Sequence, residues 1–186
     1  SSPSRGLGDV YKRQALREQL HLPKGKHTTI LVAISGGKDS AVLLERIHDN
    51  LSRRRDVTIV GGCVDEGITG YRPPSLECAR QLCEKLGIRF ETVSYPELGF
   101  KEMDEVAQKI LDTNDKKAPC SYCGVFRRQG INHLAERVGA DVIALGHNLD
   151  DMAQTIMMNM QNGDVERTLR LAPHTNTPLE GICLLY

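Results

Sequence analysis

Three consecutive stretches decide the fold: Thr28-Thr-Ile-Leu-Val-Ala-Ile34, then Ser35-Gly-Gly-Lys-Asp-Ser40, then Ala41-Val-Leu-Leu-Glu-Arg-Ile47. The first is apolar and β-branched, the composition of a strand buried on both faces, and the third carries apolar residues at helical spacing. Strand, glycine loop and helix therefore follow one another without a spacer. Such a turn aims backbone N–H groups and the positive end of a helix at one point, so it reads as an anion site, most directly for phosphate. Gly36 and Gly37 allow a tight turn and close approach of phosphate oxygens. Lys38 supplies a compact positive charge, and Ser35 and Ser40 supply hydroxyls. The loop lacks the spacing of a Walker A motif, and Lys38 is followed by Asp39 rather than Ser or Thr. A purely structural β-α turn is the competing reading.

Working outward, the pattern repeats. Val57-Thr-Ile-Val-Gly-Gly-Cys-Val64 is a second strand ending in Asp65-Glu66-Gly67, and Pro73-Pro74-Ser75 opens a helix reaching residue 86. Residues 89–94 alternate as a third strand, and residues 101–111 have helical periodicity. A polar loop over 112–119 leads to Cys120-Ser-Tyr-Cys123 and a helix over 125–138. Asp141-Val-Ile-Ala-Leu-Gly146 is a fourth strand ending in His147-Asn-Leu-Asp-Asp151, with a helix to residue 160. Alternating strands and helices predict an α/β domain with a doubly wound parallel sheet. In such a sheet the loops beginning at Ser35, at Asp65, after Ser94 and at His147 leave from one edge, the carboxyl ends of the strands, where ligands bind.

The 186 residues suit one domain, and 40% hydrophobic with 26% charged residues is the composition of a globular chain rather than a disordered one. No apolar run is long enough to span a bilayer and no signal peptide is apparent, which predicts a soluble, cytoplasmic protein without a membrane partner. With 24 basic and 24 acidic residues there is no global attraction for nucleic acid, so any RNA contact must be local. Residues 1–14 resemble translated adaptor sequence, and the closing residues 182–186 resemble the start of its C-terminal counterpart. Both are expected to be non-native tails around a domain over residues 15–181 that is truncated at both ends.

Six cysteines show no secreted disulfide framework. Cys63, Cys78 and Cys83 sit on a strand and a helix, as small buried apolar residues do. Cys120 and Cys123 fit a metal half-site, a redox pair or a chance helix start. Arg127 and Arg128 fit a charged site or a solvated helix face. Asp150 and Asp151 fit a nucleotide or Mg2+ site or simple helix capping, and His147 fits a positioning role better than that of a base. Asp65 and Glu66 end a strand where a carboxylate could face Mg2+, or merely form a polar terminus. Lys116, Lys117, Arg127, Arg128, Arg167 and Arg170 are candidates for a local RNA-phosphate surface.

The hexapeptide at residues 35–40 resembles the pyrophosphatase loop of the N-type ATP pyrophosphatases, the PP-loop enzymes with an adenine nucleotide alpha hydrolase-like fold. The resemblance implies ATP cleavage between the α and β phosphates, with adenine near Ala33, Ser35 and Cys63. The stretches Val64-Asp-Glu-Gly-Ile-Thr-Gly-Tyr-Arg72, Cys120-Ser-Tyr-Cys-Gly-Val-Phe-Arg-Arg128, Gly146-His-Asn-Leu-Asp-Asp-Met-Ala-Gln-Thr155 and Gly163-Asp-Val-Glu-Arg167, with the loop, resemble the archaeal and eukaryotic tRNA 2-thiouridine synthetases. That family implies a tRNA sulfurtransferase. ATP adenylates the C2 oxygen of the wobble uridine and sulfur displaces AMP, with the sulfur coming from a ubiquitin-like thiocarboxylate protein or sulfide. The resemblance also implies that Cys120 and Cys123 are two of three ligands of a four-iron iron-sulfur cluster, whose third cysteine has no equivalent here. Arg127 would stabilise the adenylated intermediate. Asp151, Gly146 and His147 would lie beside ATP and Mg2+, zinc would occupy terminal ribbons lacking here, and a homodimer or heterodimer is expected. The alternatives are a tRNA 2-thiocytidine synthetase, a nucleotide-binding module without turnover and, last, a CxxC redox protein.

Overall fold

The computed structural model describes residues 14, 22, 25–113, 118–166 and 183–185. Strand β1 (Thr28–Ala33) is followed by helix α1 (Lys38–Leu51), β2 (Val57–Asp65), α2 (Arg72–Leu86) and β3 (Arg89–Ser94). A 3-10 turn (Pro96–Leu98) then precedes α3 (Met103–Thr113), α4 (Pro119–Val138), β4 (Val142–Leu145), α5 (Leu149–Gln161) and β5 (Cys183–Leu185). The strands form one parallel sheet in the order β3-β2-β1-β4-β5.

Both sheet faces are covered, which is why β1 is apolar from Ile30 onward. On one face Ile30, Val32 and Ile34 pack with Leu44 and Ile47 of α1 and Ala79 and Cys83 of α2. On the other, Leu31, Val60, Val64 and Ile143 pack with Met103 of α3 and Leu134 and Ala135 of α4. The doubly wound α/β sheet expected from the alternation is therefore present.

Register aligns the functional edge. Ala33 lies opposite Gly62 on one side and Leu145 on the other, and Asp65 lies opposite Ser94. The four loops read from the sequence thus leave from the same edge. The strand order reverses between β2-β1 and β4, so the loops after β1 and β4 flank the switch point where such sheets open a crevice.

Two boundaries differ from expectation. Helix α4 begins at Pro119, not residue 125, so the cysteine pair lies within its first turns rather than in the loop before it. A proline in a first turn needs no hydrogen-bond partner for its nitrogen and has its φ preset for helix, so it starts α4 early. Cys183–Leu185, within the segment read as a terminal tail, add a fifth strand beside β4.

Candidate functional site

The glycine loop is shaped from within. Ser40 Oγ, buried under the loop, donates to the Gly37 carbonyl at 3.0 Å, accepts from the Ser35 N–H at 3.2 Å and lies 3.2 Å from Ser35 Oγ. Ser35 Oγ in turn accepts from the Gly37 N–H at 3.3 Å. The two hydroxyls therefore lace the loop. Gly37 N-caps α1 without a side chain, so the first amides of the helix face outward beside exposed Lys38 and Asp39.

Gly36 is required twice over. Its φ is +85°, and a Cβ there would run into the Ser75 backbone of α2. On the opposite side, a Cβ on Gly146 would stand 3.0 Å from the Ser40 backbone, so the end of β4 packs directly on the start of α1. Residues 35–40 and Gly146 are thus brought together, with half-buried Ala33 at the end of β1.

The loop after β2 holds a buried charge cluster. Arg72, 4% exposed at the start of α2, turns inward and faces Glu66 at 2.6 Å between Nε and Oε2. Its Nη1 donates to the Ser35 carbonyl at 3.1 Å and to Ser75 Oγ at 3.3 Å. Its Nη2 donates to Cys63 Sγ at 2.9 Å and to the Val64 carbonyl. Glu66, 2% exposed, uses its other oxygen on α4, where Oε1 accepts from Arg127 Nε at 2.9 Å and lies 2.9 Å from Nη2. Arg127 Nη2 also reaches Cys123 Sγ at 3.5 Å. Burial works against the Arg127 charge, but Glu66, with Cys123 and Tyr95, outweighs it and raises its pKa. One path therefore runs from Ser35 of the glycine loop through Arg72, Glu66 and Arg127 to Cys123, hydrogen-bonded at each step except between Arg72 and Glu66, which are joined by charge as an ion pair.

Cys120 is exposed and Cys123 half-buried, three residues apart on α4 and so on neighbouring turns of one face. Among the described residues no group of three or more metal-ligating side chains occurs. Cys63 and Cys83 are buried, as expected for small apolar residues, whereas Cys78 is exposed on α2, contrary to that expectation; the Cys63 side chain faces Arg72 rather than a crevice. Burial raises the thiols of Cys63 and Cys83 to about 11. Alkylation at neutral pH followed by peptide mass spectrometry is expected to label exposed Cys78 and Cys120 and to leave Cys63 and Cys83 unmodified until the chain unfolds.

The remaining candidates lie at the same edge in simpler roles. Asp65 Oδ1 accepts from the Gly67 N–H at 3.0 Å and closes the turn after β2. Asp151 and Asn148 form a reciprocal capping box at the start of α5, each side chain accepting from the other's backbone N–H at 3.0 Å. His147 and Asp150 are exposed next to it, as is Arg128 on α4. Lys116, Lys117, Arg167 and Arg170 lie outside the described residues.

Arg72 and Tyr95 are the site residues that the sequence reading missed. Arg72 immediately precedes Pro73-Pro74 at a helix start, a pattern that marks the boundary and not the inward turn of the guanidinium. Tyr95 follows β3 and carries no motif of its own.

A model of the PP-loop domain family matches residues 9–185. The chain is 38% identical over 162 residues to the tRNA 2-thiolation protein NcsA of Haloferax volcanii, covering 85% of this chain and 50% of that protein. It is 42% identical over 146 residues to cytoplasmic tRNA 2-thiolation protein 1 of Chlamydomonas reinhardtii, covering 77% and 39%. The chain thus spans about half or less of the length of these curated relatives. Among solved structures it resembles the U34-tRNA thiolase NcsA from Methanococcus maripaludis with its 4Fe-4S cluster, with a TM-score of 0.77 at 30% identity over 95% of this chain and 56% of that one. The glutamine-dependent NAD+ synthetase of Acinetobacter baumannii, in complex with ADP, shares the fold at a TM-score of 0.51 and 18% identity, covering 79% of this chain and 26% of that one. With its glycine loop seated at the switch point of a doubly wound sheet and the family match running over most of its length, the chain belongs to the PP-loop domain family.

Proposed function

We propose that the chain is the ATP-dependent core of a cytoplasmic tRNA thiolation enzyme, which adenylates the C2 oxygen of a tRNA uridine at the wobble position and replaces that oxygen by sulfur. The observation that carries this reading is the path from Ser35 through Arg72, Glu66 and Arg127 to Cys123. A nucleotide-binding module needs the loop alone, and a redox protein needs the cysteines alone. Only chemistry that uses both in turn gives a reason to lock them into one network.

In this mechanism the outward amides of α1 and Lys38 hold the β and γ phosphates as pyrophosphate while Ser35 and Ser40 keep the loop in shape, and adenine lies against Ala33 and the backbone at the end of β2. The uridine oxygen attacks the α-phosphorus and pyrophosphate leaves. The half-exposed Arg127 neutralises charge developing on the α-phosphate, with its Glu66 anchor fixing where it sits. Asp151, with Asp65 as a second carboxylate, would hold Mg2+, which would orient ATP, while Gly146 and His147 shape the opposite wall. Sulfur then bonds to C2, the C2–O bond breaks and AMP departs with the oxygen.

Two soft thiolates on neighbouring turns of one helix face fit two ligands of an iron-sulfur cluster. Held by Cys120 and Cys123, such a cluster would present sulfur to the activated carbon. The tRNA phosphates would lie along Arg128, Lys116, Lys117, Arg167 and Arg170. A ubiquitin-like thiocarboxylate protein or sulfide would supply sulfur, and a homodimer or heterodimer is the expected assembly.

The test is anaerobic reconstitution with iron and sulfide, with iron counting, beside tRNA product analysis. Cys120→Ala and Cys123→Ala are each expected to lose the cluster and all 2-thiouridine formation. Zinc or no metal in the chain extended to the length of its relatives would overturn the cluster reading. A 2-thiocytidine product would shift the substrate, and ATP binding without tRNA-dependent AMP release would leave a nucleotide-binding module.

A further inference from the structure

Tyr95 is a fully buried tyrosine whose hydroxyl reaches one residue, Cys123, donating to its carbonyl at 3.1 Å and standing 3.5 Å from its Sγ. The ring is held rigidly. It meets Phe126 edge-on at 5.5 Å and Phe100 edge-on at 6.4 Å, while those two rings stack on each other at 4.3 Å. Its backbone is held as well, because the Tyr95 N–H donates to the Asp65 carbonyl at 3.0 Å and the Tyr95 carbonyl accepts from Phe100 N–H at 2.9 Å. Phenylalanine would fill this space without a polar group to satisfy, and an unpartnered buried hydroxyl costs about 1–3 kcal/mol. What the hydroxyl adds is therefore its hold on Cys123.

That hold is one of two. Arg127 Nη2 stands 3.5 Å from the same sulfur and is fixed by buried Glu66. Cys120, one turn nearer the helix start, is exposed. The two thiols of the pair are consequently unequal, one gripped by a rigid aromatic cluster and an anchored guanidinium, the other facing solvent.

We propose that Tyr95 is a positioning residue for Cys123. It pins the first turns of α4 at the Cys123 carbonyl, so that Cys123 is the fixed member of the pair and Cys120 the loosely held one. The pinning stands on geometry alone, and the use of the two thiols as ligands rests on the iron-sulfur reading above.

The test is Tyr95→Phe, which deletes one oxygen and leaves the ring packing in place. In the metal-free chain, amide hydrogen exchange over residues 120–127 is expected to speed up about two- to tenfold, the equivalent of one ordinary hydrogen bond, while the central strands exchange as before. In the same chain, alkylation of half-buried Cys123 relative to exposed Cys120 is expected to speed up. Unchanged exchange in that segment, or an unchanged ratio of the two alkylation rates, overturns the proposal. Neither measurement needs a cluster, so failure of the iron-sulfur reading shows separately, as no cluster on anaerobic reconstitution.

Discussion

Glu66→Ala is expected to cost about 3–5 kcal/mol of stability, because it leaves Arg72 charged, buried and without its counter-ion. In a domain of this size each kcal/mol lowers the melting temperature by about 2–4 °C, so the variant should melt roughly 6–20 °C below the wild type. Arg127→Ala is the informative partner. Its side chain is 52% exposed and its removal keeps the Glu66–Arg72 ion pair but strips buried Glu66 of its hydrogen bond, so its melting temperature should fall by less than that of Glu66→Ala. Its tRNA-dependent AMP release should nevertheless collapse. A Glu66→Ala protein that melts within about 2 °C of wild type would show that the buried pair is not what holds the loops after β1 and β2 together.

Gly36→Ala should abolish useful ATP binding while leaving most of the sheet folded. The left-handed backbone costs an alanine about 1–2 kcal/mol, and driving its Cβ away from the Ser75 backbone adds an overpacking cost of about 1–3 kcal/mol. Relief is available only by moving the loop, since Ser75 belongs to the first turn of α2 beside Arg72. The amides of α1 then no longer converge. Taking about 3 kcal/mol for the combined effect, affinity measured calorimetrically with a non-hydrolysable ATP analogue should fall about 100-fold. Unchanged affinity would place the nucleotide elsewhere. Gly37→Ala is the control, because its nearest neighbour is the end of the Ser35 side chain at 3.3 Å and its φ is unstrained, so a smaller loss is expected.

Both variants probe features of different legibility. The glycine loop could be read from the sequence because strand, loop and helix are continuous in the chain, and local pattern suffices to place amides at a helix start. The convergence of four loops at one edge also followed from alternation alone, because parallel strands joined by helices must point the same way. Asp151 could be read only as a choice between ligand and cap, and the capping box with Asn148 is what the fold builds there.

The residues themselves determined an α/β chain with an anion-binding turn after its first strand and a cysteine pair near a helix start, since each depends on neighbours in sequence. Tertiary structure decided what lies between them. Glu66 and Arg127 are 61 positions apart, and Arg72 is 37 positions from the serine whose carbonyl it holds. No periodicity reports such distances. Whether an arginine beside two prolines faces water or a buried carboxylate, and whether a tyrosine hydroxyl at a strand end finds a cysteine, depends on which helices cover which face of the sheet. Burial then selects the partner, because a charge or hydroxyl removed from water must be satisfied by whatever the packing brings within reach.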